Sequence, residues 1–278
     1  MCQILRGSLL VLALIALPGG CKAQPKPPHA AAPKSSAADS GPAAPTTAAG
    51  ETAFSEDFTN DPVGAEPTSF AAVVGTWYVG ADGDNRVLVV DGTKWKAGKA
   101  SAGLADKARA LYGDRYGEFL DNVTAYAYYP LAVAKGVDNF TDGEISMRFR
   151  PVSGHIDQNA GIAFDVKPNG DYLTVRASAL ENNVILWEYV HGQRTSLKWV
   201  RDVPTASGQW HDLKLVVEGV LVQCYLDGKL RLEHALDAPV SGRVGIWSKA
   251  DGKLYFDDYK VTPARKQGQG QTGKGVNR

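Results

Sequence analysis

The chain has 278 residues, enough for one large domain with a substantial core, and all 25 of its aromatic residues fall between Phe54 and Tyr259. A formal charge of zero hides a division, because residues 53–263 carry 22 Lys and Arg against 28 Asp and Glu while both ends are basic. An acidic core disfavours nucleic acid as a partner, and with only Cys224 inside the aromatic limits a disulfide framework is excluded. His29, His155, His191, His211 and His234 never fall at zinc-site spacing.

At the N-terminus Arg6 precedes nine apolar residues, Leu9 to Leu17, followed by Pro18-Gly19-Gly20-Cys21. Charged, apolar and small-residue regions in that order mark a secretory signal, and the apolar run is too short to span a bilayer as a helix. The Gly-Gly-Cys ending resembles a bacterial lipoprotein signal, with Pro18 where such signals usually carry Leu. The resemblance implies lipidation of Cys21 and a membrane anchor on an exported protein, periplasmic or at the cell surface. Ordinary secretion is the alternative. Residues 22–52 hold ten Ala and six Pro and no Val, Ile, Leu or aromatic residue, so they predict a disordered tether. The expected division is a signal over 1–21, the tether over 22–52, a folded domain over 53–263 and a disordered basic tail over 264–278, which has four positive charges and no acid.

Within the domain the dominant apolar period is two, in short runs separated by turn residues, which predicts an all-β sandwich or barrel. In chain order the expected strands cover 76–79, 86–90, 125–133, 143–151, 161–166, 172–179, 184–190, 213–217, 221–226, 244–248 and 254–261. Residues 92–122 break the pattern. Leu104, Ala108, Leu111 and Tyr112 recur there at helical spacing, so this stretch predicts an inserted loop with one short helix that either caps a site or covers a sheet edge. Pro168-Asn169-Gly170 and Asp227-Gly228 predict hairpin turns, the latter of type I′. Over 172–179, Leu173, Val175, Ala177 and Ala179 alternate with Tyr172, Thr174, Arg176 and Ser178, which predicts one core face and one wet face.

The order of segments is distinctive. Phe54-Ser55-Glu56-Asp57-Phe58 opens the domain; Asp142 to Arg150, Asn159 to Phe164, Gln209 to Val217, Tyr225 to Lys229 and Gly242 to Ser248 follow; and Phe256-Asp257-Asp258-Tyr259-Lys260-Val261 closes it. This resembles the concanavalin A-like lectin/glucanase superfamily, in particular bacterial laminin-G-like domains related to the 3-keto-disaccharide hydrolase family. The resemblance implies a two-sheet antiparallel jelly roll, a fold that hosts binding modules, hydrolases and spacers alike. It also implies first and last strands lying side by side, where related domains often hold calcium; here Asp57 and Asp258 would be the oxygen donors.

Glycoside hydrolysis needs two carboxyl groups facing one bond. The glycanase branch carries them on one strand as Glu, hydrophobic, Asp, hydrophobic, an optional residue, Glu, and no such run occurs here. Glu181 and Glu188 are separated by an odd number of residues, which in a regular strand points them to opposite faces. No Gly-x-Ser-x-Gly elbow or phosphate loop is present, Cys224 reads as a buried thiol, and the neighbours His211 and Asp212 read as structural. Binding is better supplied. Sugars present apolar C–H faces and hydroxyl edges, so an aromatic platform beside hydrogen-bonding side chains suits them. Tyr172, Arg176, Asn183, Trp187 and Glu188 offer that mixture on two successive strands, unless Trp187 and Tyr189 pack beside Ile185 and Arg176 pairs with Glu181 or Glu188. The expectation is a non-catalytic envelope lipoprotein domain binding carbohydrate or another cell-surface ligand, with 3-keto-glycoside hydrolysis or a structural protein-interaction role as rivals.

Overall fold

The computed structural model describes residues 53–94, 103–123 and 128–265. The signal with Cys21, the tether and the tail beyond Arg265 lie outside the described residues. One sheet runs in the order β13 (Lys229–Ala235), β12 (Leu221–Leu226), β11 (His211–Glu218), β6 (Gly143–Ser153), β15 (Lys253–Pro263), β4 (Asn85–Asp91), β3 (Trp77–Asp82), with β1 (Phe54–Glu56) on β15. The other runs β10 (Gln193–Arg201), β9 (Asn183–Val190), β8 (Tyr172–Ser178), β7 (Asn159–Val166), β14 (Arg243–Ser248), β5 (Leu131–Ala134), β2 (Phe70–Val74). Every pairing is antiparallel. This is the all-β, two-sheet jelly-roll sandwich that the resemblance implies.

Alternation builds the core. Ile145, Met147 and Phe149 of β6 and Leu213, Leu215 and Val217 of β11 share one buried cluster with Ile162, Phe164, Val175 and Leu186 of the second sheet. Each such side chain contributes roughly 1.5–3 kcal/mol as an upper estimate. Phe54 and Tyr259 come together where the first strand pairs with the last, and Phe70 meets the Tyr259 ring edge-on at 5.2 Å. At the β12–β13 hairpin Asp227 and Gly228 have φ of 52° and 73°, the two positive values a type I′ turn requires.

Several expectations are corrected. The strand expected over 125–133 begins only at Leu131; residues 124–127 lie outside the described residues. Tyr128 and Pro130 instead accept backbone hydrogen bonds from Ala250 and Ser248, and Pro130 has no N–H to give a ladder. β2 and β10 escape the period-two pattern for opposite reasons. β2 is buried on both faces, so Phe-Ala-Ala-Val-Val shows no alternation, while β10 is an edge strand with mostly exposed residues.

Among the described residues the insertion holds two helices rather than one, α1 (Leu104–Tyr112) and α2 (Tyr116–Val123), joined by a tight turn over 113–115. α1 lies on β2, and Ala108, Leu111 and Phe119 join Ala71, Val73, Val133 and Ala163 in a second cluster on the outer face of the seven-stranded sheet. Arg243 ties the insertion down: its Nη2 donates to the Leu111 carbonyl at 2.5 Å while Nη1 pairs with Asp138 at 2.7 Å. Asn122 donates to the Asn169 carbonyl in the β7–β8 turn. The face expected to be wet is buried, with Tyr172 and Arg176 3% exposed and Thr174 and Ser178 fully buried. No helix among the described residues is long and apolar enough to cross a membrane.

Candidate functional site

The outer face of the seven-stranded sheet gathers the side chains that period two directs away from the inter-sheet core. Pairing aligns Tyr172 with Tyr189 and Tyr189 with Arg194, and sets Arg176 between Gly161 and Ile185. The Tyr172 and Tyr189 rings stack at 4.2 Å, Trp247 Nε1 donates to Tyr172 Oη at 3.2 Å, and Tyr129 stacks on Trp247 at 5.8 Å. Gly161 is needed beneath them. A Cβ there would stand 2.9 Å from Thr174 Oγ1, 3.0 Å from Trp247 Cε3 and 3.1 Å from Arg176 Cβ.

Toward the sheet edge the aromatics carry cations. The Arg194 guanidinium lies 4.0 Å from the Trp187 ring centre and 5.2 Å from that of Tyr129. Trp199, 43% exposed, sits 6.1 Å from Trp187 and carries Arg201 at 4.7 Å. Among the described residues Arg194 has no carboxylate within 4.0 Å.

At the opposite end of the strands from the helices lies a polar group. Arg176 Nη1 donates to Asn183 Oδ1 and Nη2 to Glu181 Oε2 at 2.6 Å, and Asn183 Nδ2 reaches the same oxygen at 3.2 Å. Lys249 pairs with the buried Asp157 at 2.8 Å, and Asn159 Nδ2 donates to Asp157 Oδ1 at 2.7 Å. The 155–157 loop is held by Asp251, whose carboxylate accepts the backbone N–H of His155, Ile156 and Asp157 at 2.7, 2.9 and 3.0 Å. Among the described residues here, Arg176 Nε, Trp187 Nε1 and Asn159 Oδ1 are buried without a hydrogen bond, and Asp157 Oδ2 has only its ion pair with Lys249. Each costs about 1–3 kcal/mol in that state.

The electrostatics fix the charge of these groups. Burial lowers the pKa of Arg176 and the nearby Glu181 carboxylate opposes that shift. Burial works to raise the Glu181 carboxyl, but the Arg176 charge and the hydrogen bonds from Arg176 and Asn183 outweigh it and hold it below the ordinary value. Asp251 is likewise held low, its three backbone donors outweighing burial. Glu181 is therefore a charged acceptor at neutral pH, not a carboxylic acid poised to give up a proton.

Of the residues singled out in the sequence, Tyr172, Arg176, Asn183 and Trp187 share this face. Glu188 does not. Next to Trp187 in β9, it points the other way, lying opposite Leu173 and Thr195 and lining a separate cleft of about 190 Å³ with Leu197 and Leu236. Arg176 pairs with Glu181, and Trp187 and Tyr189 do pack beside Ile185, but on the outer face rather than between the sheets. Asp157, Asn159, Lys249, Arg194, Trp199 and Trp247 are added by the fold. Only strand register brings them in, and the mostly polar edge strand β10 gave no periodic signal for Arg194 or Trp199.

The acids at the paired first and last strands make a poor cation cage. Asp57 accepts the Thr59 N–H at 3.0 Å, and Asp258 lies 3.6 Å from both Arg148 and Lys260. Among the described residues no group of three His, Cys, Asp or Glu side chains is placed to hold a metal. His211 bonds Asp227, not its neighbour Asp212, through Nδ1 at 2.9 Å, with Nε2 2.9 Å from the Ala206 carbonyl. Cys224 is fully buried and its thiol is pushed up to about 12 by desolvation, so it is no nucleophile.

No family model matches the chain, and no curated protein matches it. Solved structures similar to it include a carbohydrate-binding module, CBM66, from Bacillus subtilis, at 14% identity over 71% of this chain and 98% of that one, with a TM-score of 0.49. Domain 4 of AbnA, a GH43 extracellular arabinanase from Geobacillus stearothermophilus solved with arabinotriose, is 12% identical over 78% and 94%, with a TM-score of 0.47. The Bacillus licheniformis β-glucanase is 13% identical over 77% and 99%, with a TM-score of 0.46.

Proposed function

We propose that the domain is a non-catalytic carbohydrate-binding module, held at a bacterial envelope by a lipid on Cys21 and the Ala/Pro-rich tether. The observation that carries this reading is the β9–β10 edge of the outer face of the seven-stranded sheet, where Trp199, 43% exposed, lies 6.1 Å from Trp187 beside the guanidinium groups of Arg194 and Arg201. Indole and phenol faces suit the C–H faces of a sugar, and Arg, Asn and Trp N–H groups suit its oxygens. Acid catalysis at this face lacks support, since Glu181 is held ionised by Arg176 and Asp157 is paired with Lys249.

The test is a glycan array probed with the full chain carrying Cys21→Ser, which blocks acylation. Saturable binding to a defined glycan is expected. Trp199→Ala, at an exposed position, should leave the melting temperature within about 1 °C and weaken that binding roughly 5–30-fold, the loss of one aromatic contact. Absence of saturable binding to any glycan would overturn the reading.

A further inference from the structure

We infer that Arg194 is a displaceable cover on the binding face: in the free protein its guanidinium closes the Trp187 indole, and a bound sugar takes its place on that ring. The inference rests on the carbohydrate-binding reading and adds the residue that limits the affinity of the site. Strand register shows why the covering falls to Arg194. Ser196 stands directly across from Trp187, and its small side chain hides little of an indole; Arg194, opposite Tyr189, and Trp199, opposite Ile185, are the diagonal neighbours on the same outer face. The Arg194 guanidinium lies 4.0 Å from the Trp187 ring centre, whereas Trp199 is tilted by 57° at 6.1 Å and does not stack on that ring. Trp187 is 8% exposed and otherwise packed into the apolar cluster of this face, so a sugar ring reaches an indole face only where Arg194 now lies.

Two observations make the cover displaceable. Among the described residues no carboxylate lies within 4.0 Å of Arg194, so no ion pair fixes it; its contacts are ring faces and the neutral Tyr189 hydroxyl. The guanidinium also lies 5.2 Å from the Tyr129 ring centre, so a rotation away from Trp187 can carry it onto Tyr129 without leaving aromatic contact. One cation–π contact is worth roughly two- to thirty-fold in an equilibrium constant, small enough for a sugar stacked on the same indole to offset. Arg201 is placed differently. It lies 4.7 Å from the centre of the Trp199 ring, and Trp199 keeps surface open beside its cation. The free face thus presents Trp199 open and Trp187 closed.

The experiment titrates the glycan identified on the array into the full chain carrying Cys21→Ser, with and without Arg194→Ala. Removing the cover should tighten binding roughly two- to thirty-fold, and Arg194→Lys, whose ammonium can sit on the same ring, should return the affinity toward that of the parent. The gain should vanish when Arg194→Ala is combined with Trp187→Leu, which fills space without a π face. Acrylamide quenching of tryptophan emission reads the cover without any sugar: Arg194→Ala should raise the quenchable fraction, and adding the glycan should lower it again. Should Trp187→Leu melt early, the Arg194→Ala affinity and the quenching decide. Weaker glycan binding in Arg194→Ala makes Arg194 a ligand contact, and unchanged binding or unchanged quenching makes it a structural neighbour; each of these overturns the cover and leaves the carbohydrate reading standing. No saturable glycan binding by the parent or by Arg194→Ala overturns both.

Discussion

Arg176→Met separates a ligand-binding arginine from one that holds the sheet together. Arg176 is 3% exposed in the middle of a sheet, where loss of a buried ion-pair partner commonly costs about 3–5 kcal/mol because the remaining charge is stranded. Here the stranded partner would be Glu181, whose side chain is 42% exposed and can be hydrated, so that penalty largely disappears. Asn183 would lose the donor to its Oδ1, a cost of about 1–3 kcal/mol. Against this, the substitution removes a buried Nε that bonds nothing, a gain of about 1–3 kcal/mol, and ends the desolvation of a cation. Met is unbranched and fills the space without a polar atom.

The opposing contributions cancel to within about 2 kcal/mol, equivalent to a melting shift of no more than roughly 8 °C for a domain of this size. Glycan binding should be lost. Urea unfolding followed by intrinsic fluorescence gives the stability, and titration calorimetry with the array-identified glycan gives the affinity. A loss of 3 kcal/mol or more would show that Arg176 is a structural keystone, and the reasoning from its unmatched Nε would fail.

Asp251→Ala should destabilise the domain by about 1–2 kcal/mol, at the low end for three lost charge-assisted bonds because two of the freed amides can be hydrated, and should speed hydrogen exchange at His155, Ile156 and Asp157. Because the Asp251 carboxyl is held low in the folded protein, its contribution is complete above its unfolded value near pH 4 and is lost as pH falls through the folded value. Protection of those three amides should therefore decline below about pH 4 in the parent; unchanged protection there would refute the role. Gly161→Ala should cost about 1–3 kcal/mol by pushing Trp247 or Arg176 aside, visible as a changed near-ultraviolet dichroism; an unaltered spectrum and melting point would show that the face yields more easily than its contacts indicate. Melting in calcium and in chelator should agree within about 1 °C, since Asp57 and Asp258 face a backbone amide and cations; a rise of several degrees with calcium would restore the metal.

Strands were legible wherever one face met the core and the other met water. β6, with Ile145, Met147 and Phe149 alternating against Ser146, Arg148 and Arg150, is such a case, and its expected limits differ from the observed ones only at the C-terminal end. β2 was illegible because α1 covers its second face. Covering a face makes both sides apolar and removes the alternation on which the reading depends. The candidate site was half legible for a related reason. Tyr172, Arg176, Asn183 and Trp187 lie close in sequence on a hairpin pair, whereas Asp157, Arg194 and Lys249 arrive through register across four strands and two loops. Glu188 was misplaced by one step of a period-two element, which is enough to put a side chain on the wrong face.

The insertion explains how one sheet face can be both support and site. Over β2, β5 and the Tyr172 end of β8, α1 and α2 bury apolar and aromatic side chains, and Arg243, Asp138 and Asn122 fasten that cover to the sheet and its turns. Arg176, Asn159 and Trp187 are fixed by their own neighbours, Arg176 by Asn183 and Glu181, Asn159 by Asp157 and Trp187 by the Arg194 guanidinium, so their positions are set before any ligand arrives. Preorganisation of this kind lowers the ordering cost of binding, and it also lets the fold keep buried donors unmatched without collapsing around them. A flexible surface would rotate Arg176 until Nε found water. Here the packing prevents that rotation, and the N–H stays buried and unmatched.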